Sequence, residues 1–138
     1  MSNETEKLTI NLGIVELAQI DVLVEQGIFS NRSDFIRTSI RKQLESHQSV
    51  IEQVITPVTG KEGKSGIFSI GIIYISKKDL EEAYSENGEK KFKISVIGML
   101  VIDNNVSVEL FEKTVMRATV RGKLIASSEI KKLIQDMK

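Results

Sequence analysis

The amino-acid sequence predicts an α+β fold with a small N-terminal module and a separate C-terminal repeat domain. Residues 7–12 alternate strictly between polar and apolar side chains, as a half-buried β-strand does. Apolar residues then recur at helical spacing in two consecutive segments. Farther along, three similar β-branched segments each precede a helical pattern. These observations divide the chain into residues 1–50, a connecting segment over 51–66, and residues 67–138.

The first strand has an apolar and a polar edge but no partner close to it in the sequence. Gly13 leads directly into a helical pattern, so no hairpin turn follows. The simplest partner is the same strand of a second copy, which would give a two-stranded antiparallel ribbon. Pairing with the later strands of the same chain is the alternative. A ribbon of this kind fits the major groove of DNA. The apolar residues are Leu8, Ile10 and Leu12, and the polar residues are Lys7, Thr9 and Asn11.

Two helices are predicted after this strand. The first ends at Gly27, because glycine tolerates the positive φ that often follows a helix. The second is predicted to start behind Ser30 as N-cap, with Asp34 in its first turn, and to continue through His47 to about Val54. A strand and two helices bury little apolar surface alone, so a partner chain is expected.

The C-terminal half contains a threefold repeat over residues 67–76, 94–103 and 118–127. Helical patterns follow behind Ser76, behind Ser107, and behind Ser127 or Ser128. Read as β-α units, the segments form parallel strands with right-handed crossovers and all helices on one side. An antiparallel meander that turns at residues 103–105 is the alternative. The glycines of the three segments fall at matching positions, namely Gly71, Gly98 and Gly122.

The open edges of this predicted sheet indicate a role for the C-terminal half. A three-stranded sheet has two open edges, and open edges invite pairing with another chain. We therefore expect self-association from this half, with effector sensing as the second possibility. The segment before it, residues 56–66, contains the only proline and three glycines, which indicates a flexible linker.

Composition excludes several function classes. The chain has no cysteine and one histidine, which leaves no residues for a thiolate or imidazole metal centre or for a nucleophile–base pair. We therefore expect no metal, no cofactor and no enzymatic activity. No apolar run approaches membrane-spanning length, so a cytoplasmic protein without membrane contact is expected. The formal net charge of zero argues against a nonspecific nucleic-acid coat.

The N-terminal residues resemble the ribbon-helix-helix repressors of the Arc, MetJ and CopG type over residues 6–48. The resemblance lies in segments 8–12, 20–27, 29–37 and 40–41, taken in that order and spacing. It implies an intertwined homodimer whose paired strands enter the major groove of double-stranded DNA. It covers none of the C-terminal repeats.

The resemblance also implies residue roles. The outward residues Lys7, Thr9 and Asn11 would read bases. The start of the second helix would bind a DNA phosphate through Ser30, Asn31, Arg32 and Ser33. The dimer core would contain Leu8, Ile10, Leu12, Ile36 and Ile40.

The function expected from these patterns is a dimeric, sequence-specific DNA-binding transcriptional regulator, most simply a repressor. Its C-terminal domain would set higher assembly, as a tetramer or beyond. Two alternatives stay open. One is the antitoxin of a toxin–antitoxin pair, which would bind a protein toxin. The other is a self-assembling scaffold protein that does not bind DNA.

Overall fold

The computed structural model describes residues 5–55 and 66–137. The chain folds as two compact units, Met1–Ser49 and Val50–Lys138. The element order is α1 (Ile14–Glu25), α2 (Arg32–Ser46), α3 (Gln48–Ile55), β1 (Gly66–Ile75), α4 (Lys77–Asn87), β2 (Phe92–Ile102), α5 (Val108–Thr114), β3 (Val115–Ile125) and α6 (Ser128–Asp136). The predicted linker falls outside the described residues except for Gly66, which begins β1.

Helix α1 has no side-chain cap at its start, and a glycine ends it. Gly13 is its N-cap and offers no side chain, so the backbone amide of Gly13 donates instead to the Glu16 carboxylate at 3.3 Å. The helix ends as the sequence predicts, because Gly27 takes a positive φ of 76°. The amide of Ile28 then donates to the carbonyl of Leu23, which satisfies one of the last helical carbonyls.

The start of α2 corrects one sequence prediction. Asn31, and not Ser30, is the N-cap, because the Asn31 side-chain oxygen accepts the amide hydrogen of Asp34 at 2.8 Å. Asp34 in turn accepts the amide of Ser30 at 2.9 Å. Asn31 lies three residues before Asp34, the spacing at which a cap side chain accepts an amide hydrogen of the first turn, whereas Ser30 lies one residue too early.

The prediction of one continuous second helix to Val54 was also wrong. The helix breaks at His47, which has a φ of −112° and a ψ of 16°, and α3 begins at Gln48. The Ser46 hydroxyl donates to the carbonyl of Gln43, and a ring nitrogen of His47 lies 2.9 Å from the same oxygen. Side chains that bond nearby backbone groups in this way compete with helix continuation.

The C-terminal unit contains a parallel three-stranded sheet in the order β1-β2-β3. Its register aligns Gly71 with Gly98 and Gly98 with Gly122, as the repeat predicts. The antiparallel meander was wrong, since residues 103–105 lead from β2 into α5 and turn no hairpin. Residues 7–12 are not part of this sheet, so the alternative of intramolecular pairing was wrong as well.

Serines cap the three helices of this unit. Ser76, Ser107 and Ser127 each accept an amide hydrogen from the residue three positions on. Helix α5 is shorter than the pattern indicates, because Val115 belongs to β3 and not to the helix. Val115 is buried and pairs with Phe92 at the start of β2. This pairing extends β3 to the full length of β2 and outweighs the helical pattern.

The core of the C-terminal unit lies on one face of the sheet. Leu80 of α4, Phe111 of α5 and Ile130 of α6 are each at most 1% exposed. They belong to the same buried cluster as Ile94 and Leu100 of β2. Because side chains alternate along a strand, the other set of strand residues lies on the opposite face. That face carries Ile70, Ile72 and Tyr74 from β1, and Lys93, Arg117 and Arg121 from β2 and β3.

The aligned glycines allow the three strands to approach closely. Gly71, Gly98 and Gly122 have φ values of 129°, 133° and 134°, which L-residues rarely adopt. A Cβ at Gly98 would overlap the carbonyl oxygen of Gly71, and one at Gly122 would overlap that of Gly98. A Cβ at Gly71 would meet nothing within 4 Å, because β1 is the edge strand.

Candidate nucleic-acid interface

The N-terminal arm, residues 5–13, is exposed along its whole length. Lys7, Thr9 and Asn11 are therefore accessible, as base-reading residues must be. The apolar residues between them are accessible too, with Leu8 80% and Ile10 53% exposed. In the described parts of this single chain, residues 7–12 pair with no other strand. Three large apolar side chains on this arm therefore form an exposed apolar surface in the single chain.

An apolar groove of about 780 Å³ lies between the arm and the two helices of the N-terminal unit. The arm contributes Ile10 and Leu12, and α2 contributes Phe35, Ile36 and Ile40. Four of the five predicted dimer-core residues thus line one groove. The fifth, Leu8, is absent from the lining.

The N-terminal unit has almost no core of its own. Among its described residues only Ile20 is buried, at 6% exposure, and α2 buries none of its residues. Ile14 and Val15 are 88% and 73% exposed. At about 25 cal/mol per Å² of apolar surface, so little burial cannot offset the entropy of ordering the backbone. The unit therefore needs a second apolar surface to be stable.

The N-terminus of α2 presents free backbone donors. The amides of Asn31, Arg32 and Ser33 have no acceptor within residues 5–55 and 66–137. Free amides at the positive end of a helix favour a bound anion. The predicted phosphate-binding residues thus meet at one place, but not equivalently. The Ser30 amide is occupied by Asp34, whose carboxylate also opposes an incoming phosphate.

Arg32 is engaged by α1. Its Nε and a terminal nitrogen donate to the two oxygens of Asp21 at 2.7 and 2.8 Å, a bidentate pair between the two helices. These hydrogen bonds lower the pKa of Asp21 and raise that of Arg32. The pair positions the start of α2 against α1. To contact a DNA phosphate, the Arg32 side chain would have to exchange this carboxylate for the phosphate.

Two features of this region escaped the sequence reasoning. One is the Asp21–Arg32 pair, whose members lie eleven positions apart with a turn between them, so that no helical periodicity relates them. The other is the edge-to-face contact between the rings of Phe29 and Phe35, with centroids 5.0 Å apart. The only available signal was that both phenylalanines flank the predicted turn.

A family model supplies the decisive comparison. The model of the ribbon-helix-helix transcriptional regulator family matches residues 3–131. The chain belongs to this family. The match extends far beyond residues 6–48 and includes most of the β-α unit, so the C-terminal half is also part of what the family shares. Searches of curated proteins and of solved structures found no match.

Two further observations concern metal ions and membranes. Within residues 5–55 and 66–137, no group of three or more histidine, cysteine, aspartate or glutamate side chains is arranged to hold a metal ion. No helix in the same residues is long and apolar enough to cross a membrane.

Proposed function

We propose that the protein is a homodimeric, sequence-specific DNA-binding repressor. Residues 7–12 of two copies pair as an antiparallel ribbon that enters the major groove. Lys7 donates to guanine or to a phosphate, Asn11 pairs with adenine, and Thr9 offers a hydroxyl and a methyl group. The amides at the start of α2 hold a backbone phosphate on each side.

The observation that carries this proposal is the open apolar groove of the N-terminal unit. A unit with one buried residue among those described requires a partner, and Ile10 and Leu12 extend from the same arm as the polar residues. Pairing two arms buries the apolar edge against the grooves of both copies. The same pairing turns Lys7, Thr9 and Asn11 outward together.

Fluorescence anisotropy with DNA from the protein's own promoter region tests the proposal. Replacement of Asn11 by alanine should weaken binding by about 1–3 kcal/mol on the preferred sequence and relax the preference at one base pair. Binding by the wild-type protein should fall steeply as salt rises, because phosphate contacts release counterions.

Lys42→Ala is the matched control for Lys7→Ala, since both lysines belong to the N-terminal unit and are exposed. Lys7→Ala should reduce affinity for the preferred sequence more than Lys42→Ala does. If the triple replacement of Lys7, Thr9 and Asn11 leaves DNA binding unchanged, the ribbon does not read DNA. DNA-independent polymers without any salt-dependent binding would instead support a scaffold protein.

For the C-terminal unit we propose assembly through β1. This edge strand has ten residues with no charge and no proline, and Ile70, Ile72 and Tyr74 are 51%, 46% and 67% exposed. The other edge, β3, carries Arg117, Arg121 and Lys123. Uncharged apolar edges favour strand addition and cationic ones oppose it. Antiparallel pairing of β1 with β1 of another copy would form a symmetric two-fold contact. Such a contact is closed, so it would not extend into a filament.

Analytical ultracentrifugation distinguishes the two edges. Ile70→Lys should convert tetramers to dimers, because a lysine on an edge strand opposes pairing. Thr119→Lys on β3 is the control and should leave the mass unchanged. Tetramers that survive Ile70→Lys would exclude β1 as the contact.

The antitoxin alternative receives less support from the fold. Antitoxins with this N-terminal fold usually bind their toxins through a disordered or short helical tail. Here residues 66–137 form a sheet covered by three helices. Co-purification of the protein with a small basic partner would favour the antitoxin over the repressor.

A further inference from the structure

A second site lies in the C-terminal unit, on the face of the sheet opposite its helix-covered core. It is a concave pocket of about 270 Å³ over the first halves of β2 and β3. Its polar lining consists of Lys93 and Ser95 from β2 and of Arg117, Thr119 and Arg121 from β3. Among residues 5–55 and 66–137, no acidic side chain lines it. The pocket thus combines basic side chains with hydroxyl groups in a protein of zero net charge.

The basic groups of the pocket lie close to one another. Lys93 is the register partner of Arg117, so two cations lie on adjacent strands, which are spaced about 4.8 Å apart. Like charges at directly opposed positions destabilise a sheet. Across the described ranges 5–55 and 66–137, neither these two residues nor Arg121 forms an ion pair with a carboxylate. Among the residues that the structure describes, only solvent screens this repulsion.

The floor of the pocket adds an independent observation. Ser95 as a residue is only 4% exposed, but its hydroxyl stays accessible, because no fully buried side-chain polar atom in the described parts of the chain lacks a partner. No hydrogen bond within those residues engages this hydroxyl, and its register partner Thr119 places a second hydroxyl beside it. Two hydroxyls next to the basic groups can therefore donate hydrogen bonds to an anion.

We propose that this pocket binds a small oxyanion, the phosphate or carboxylate group of a small molecule. The oxyanion would lie between the cationic end, Lys93 and Arg117, and Arg121, and would accept hydrogen bonds from Ser95 and Thr119. Arginine is suited to this role because its planar fork donates two parallel hydrogen bonds to such a group. The anion would remove the repulsion between Lys93 and Arg117.

A small molecule fits better than the DNA backbone. The basic side chains are exposed, but they surround a concave site whose two hydroxyls lie between the strands, a shape that suits a compact anion better than a duplex. The volume is just below the usual range of ligand pockets, about 300–1,000 Å³, and accommodates an oxyanion with a small organic portion. The proposal uses none of the residues of the DNA-reading ribbon and does not depend on DNA binding.

Isothermal titration calorimetry on the full-length protein tests this site, with inorganic phosphate and acetate as separate probes and chloride holding ionic strength constant. Arg117→Gln should weaken binding of the preferred probe roughly tenfold, because it removes charged hydrogen bonds. Ser95→Ala should weaken it less. Lys131→Gln removes one exposed lysine from α6 and is the matched control, which should bind like the wild type.

A second measurement separates a binding role from a structural one. Without any added oxyanion, Lys93→Gln and Arg117→Gln should unfold at the same temperature as the wild type or higher, because each removes a like-charge contact. With oxyanion present, the wild-type midpoint should rise and those of both variants should rise less.

Three results would overturn the proposal. The first is that neither probe binds the wild type more tightly than chloride does. The second is that Lys131→Gln weakens binding as much as Arg117→Gln does, which would mean diffuse attraction to surface charge. The third is that Arg117→Gln weakens DNA binding while phosphate and acetate have no effect, which would assign these cations to the DNA backbone.

Discussion

Replacement of Gly98 by alanine tests the close approach of the strands in the C-terminal unit. Gly98 and Gly71 have nearly the same backbone conformation, with φ of 133° and 129°. They differ in what a Cβ would meet, since at Gly98 it overlaps the carbonyl oxygen of Gly71 and at Gly71 it meets open space. The two alanine variants therefore separate the cost of the backbone conformation from the cost of the strand contact.

The magnitudes follow from these differences. Holding alanine at such a φ costs about 1–3 kcal/mol, partly offset by the lower entropy of the unfolded chain. Relieving the overlap at Gly98 requires β1 and β2 to separate, which breaks about two ladder hydrogen bonds at about 1 kcal/mol each. We expect a loss of about 1–2 kcal/mol for Gly71→Ala and about 3–5 kcal/mol for Gly98→Ala.

Amide hydrogen exchange of β2 is the appropriate assay, because it reports the opening free energy of the C-terminal unit separately from that of the N-terminal unit. The measurement should be made in dilute protein, where β1 remains an open edge. Equal losses for Gly71→Ala and Gly98→Ala would refute the reasoning. They would show that the backbone conformation alone requires glycine and that the strands do not approach as closely as described.

Two further predictions concern the N-terminal unit. Asn31→Ala should destabilise it by about 0.5–2 kcal/mol through loss of the helix cap, measured by urea unfolding, whereas Ser30→Ala should have little effect. The Arg32 hydrogen bonds lower the pKa of Asp21, so their stabilisation should be present above the usual aspartate range and be lost as pH falls through the lowered pKa. Thermal unfolding across acidic pH should show this loss, and Asp21→Asn should reduce it. An Asp21→Asn variant with the wild-type pH dependence would show that other carboxylates cause it.

The strand register of the C-terminal sheet was predictable from the sequence repeat. Matching positions of Gly71, Gly98 and Gly122 in the sequence correspond to one row of the sheet, and the serine caps begin the helices that follow. Register was predictable because each repeat places the same side chains on the same face, and a slip of one residue would bury the wrong set. The start of β3 was not predictable, because Val115 suits both a helix and a strand and its pairing with Phe92 is nonlocal.

The candidate DNA interface was predictable in part. Alternation along residues 7–12 predicts a polar and an apolar edge of the arm, since it depends only on strand geometry. In the single chain the residues of both edges are exposed, so this remains a prediction. Whether Ser30 or Asn31 caps α2 depends on which side chain meets the amide of Asp34, and both residues are good caps. The bidentate bond of Arg32 to Asp21 likewise depends on how α1 and α2 pack.

By itself, the sequence determined the β-α order of the C-terminal unit, the family resemblance of the N-terminal segments and the glycine register. Those features arise from local geometry and short-range periodicity, which a chain carries before it folds. The tertiary structure alone decided which side chains are already engaged and which are left without a partner. It pairs Arg32 with Asp21. Among the described residues it also places Ser95, Lys93 and Arg117 around one pocket without side-chain partners, because such neighbours are set by packing between segments far apart in sequence.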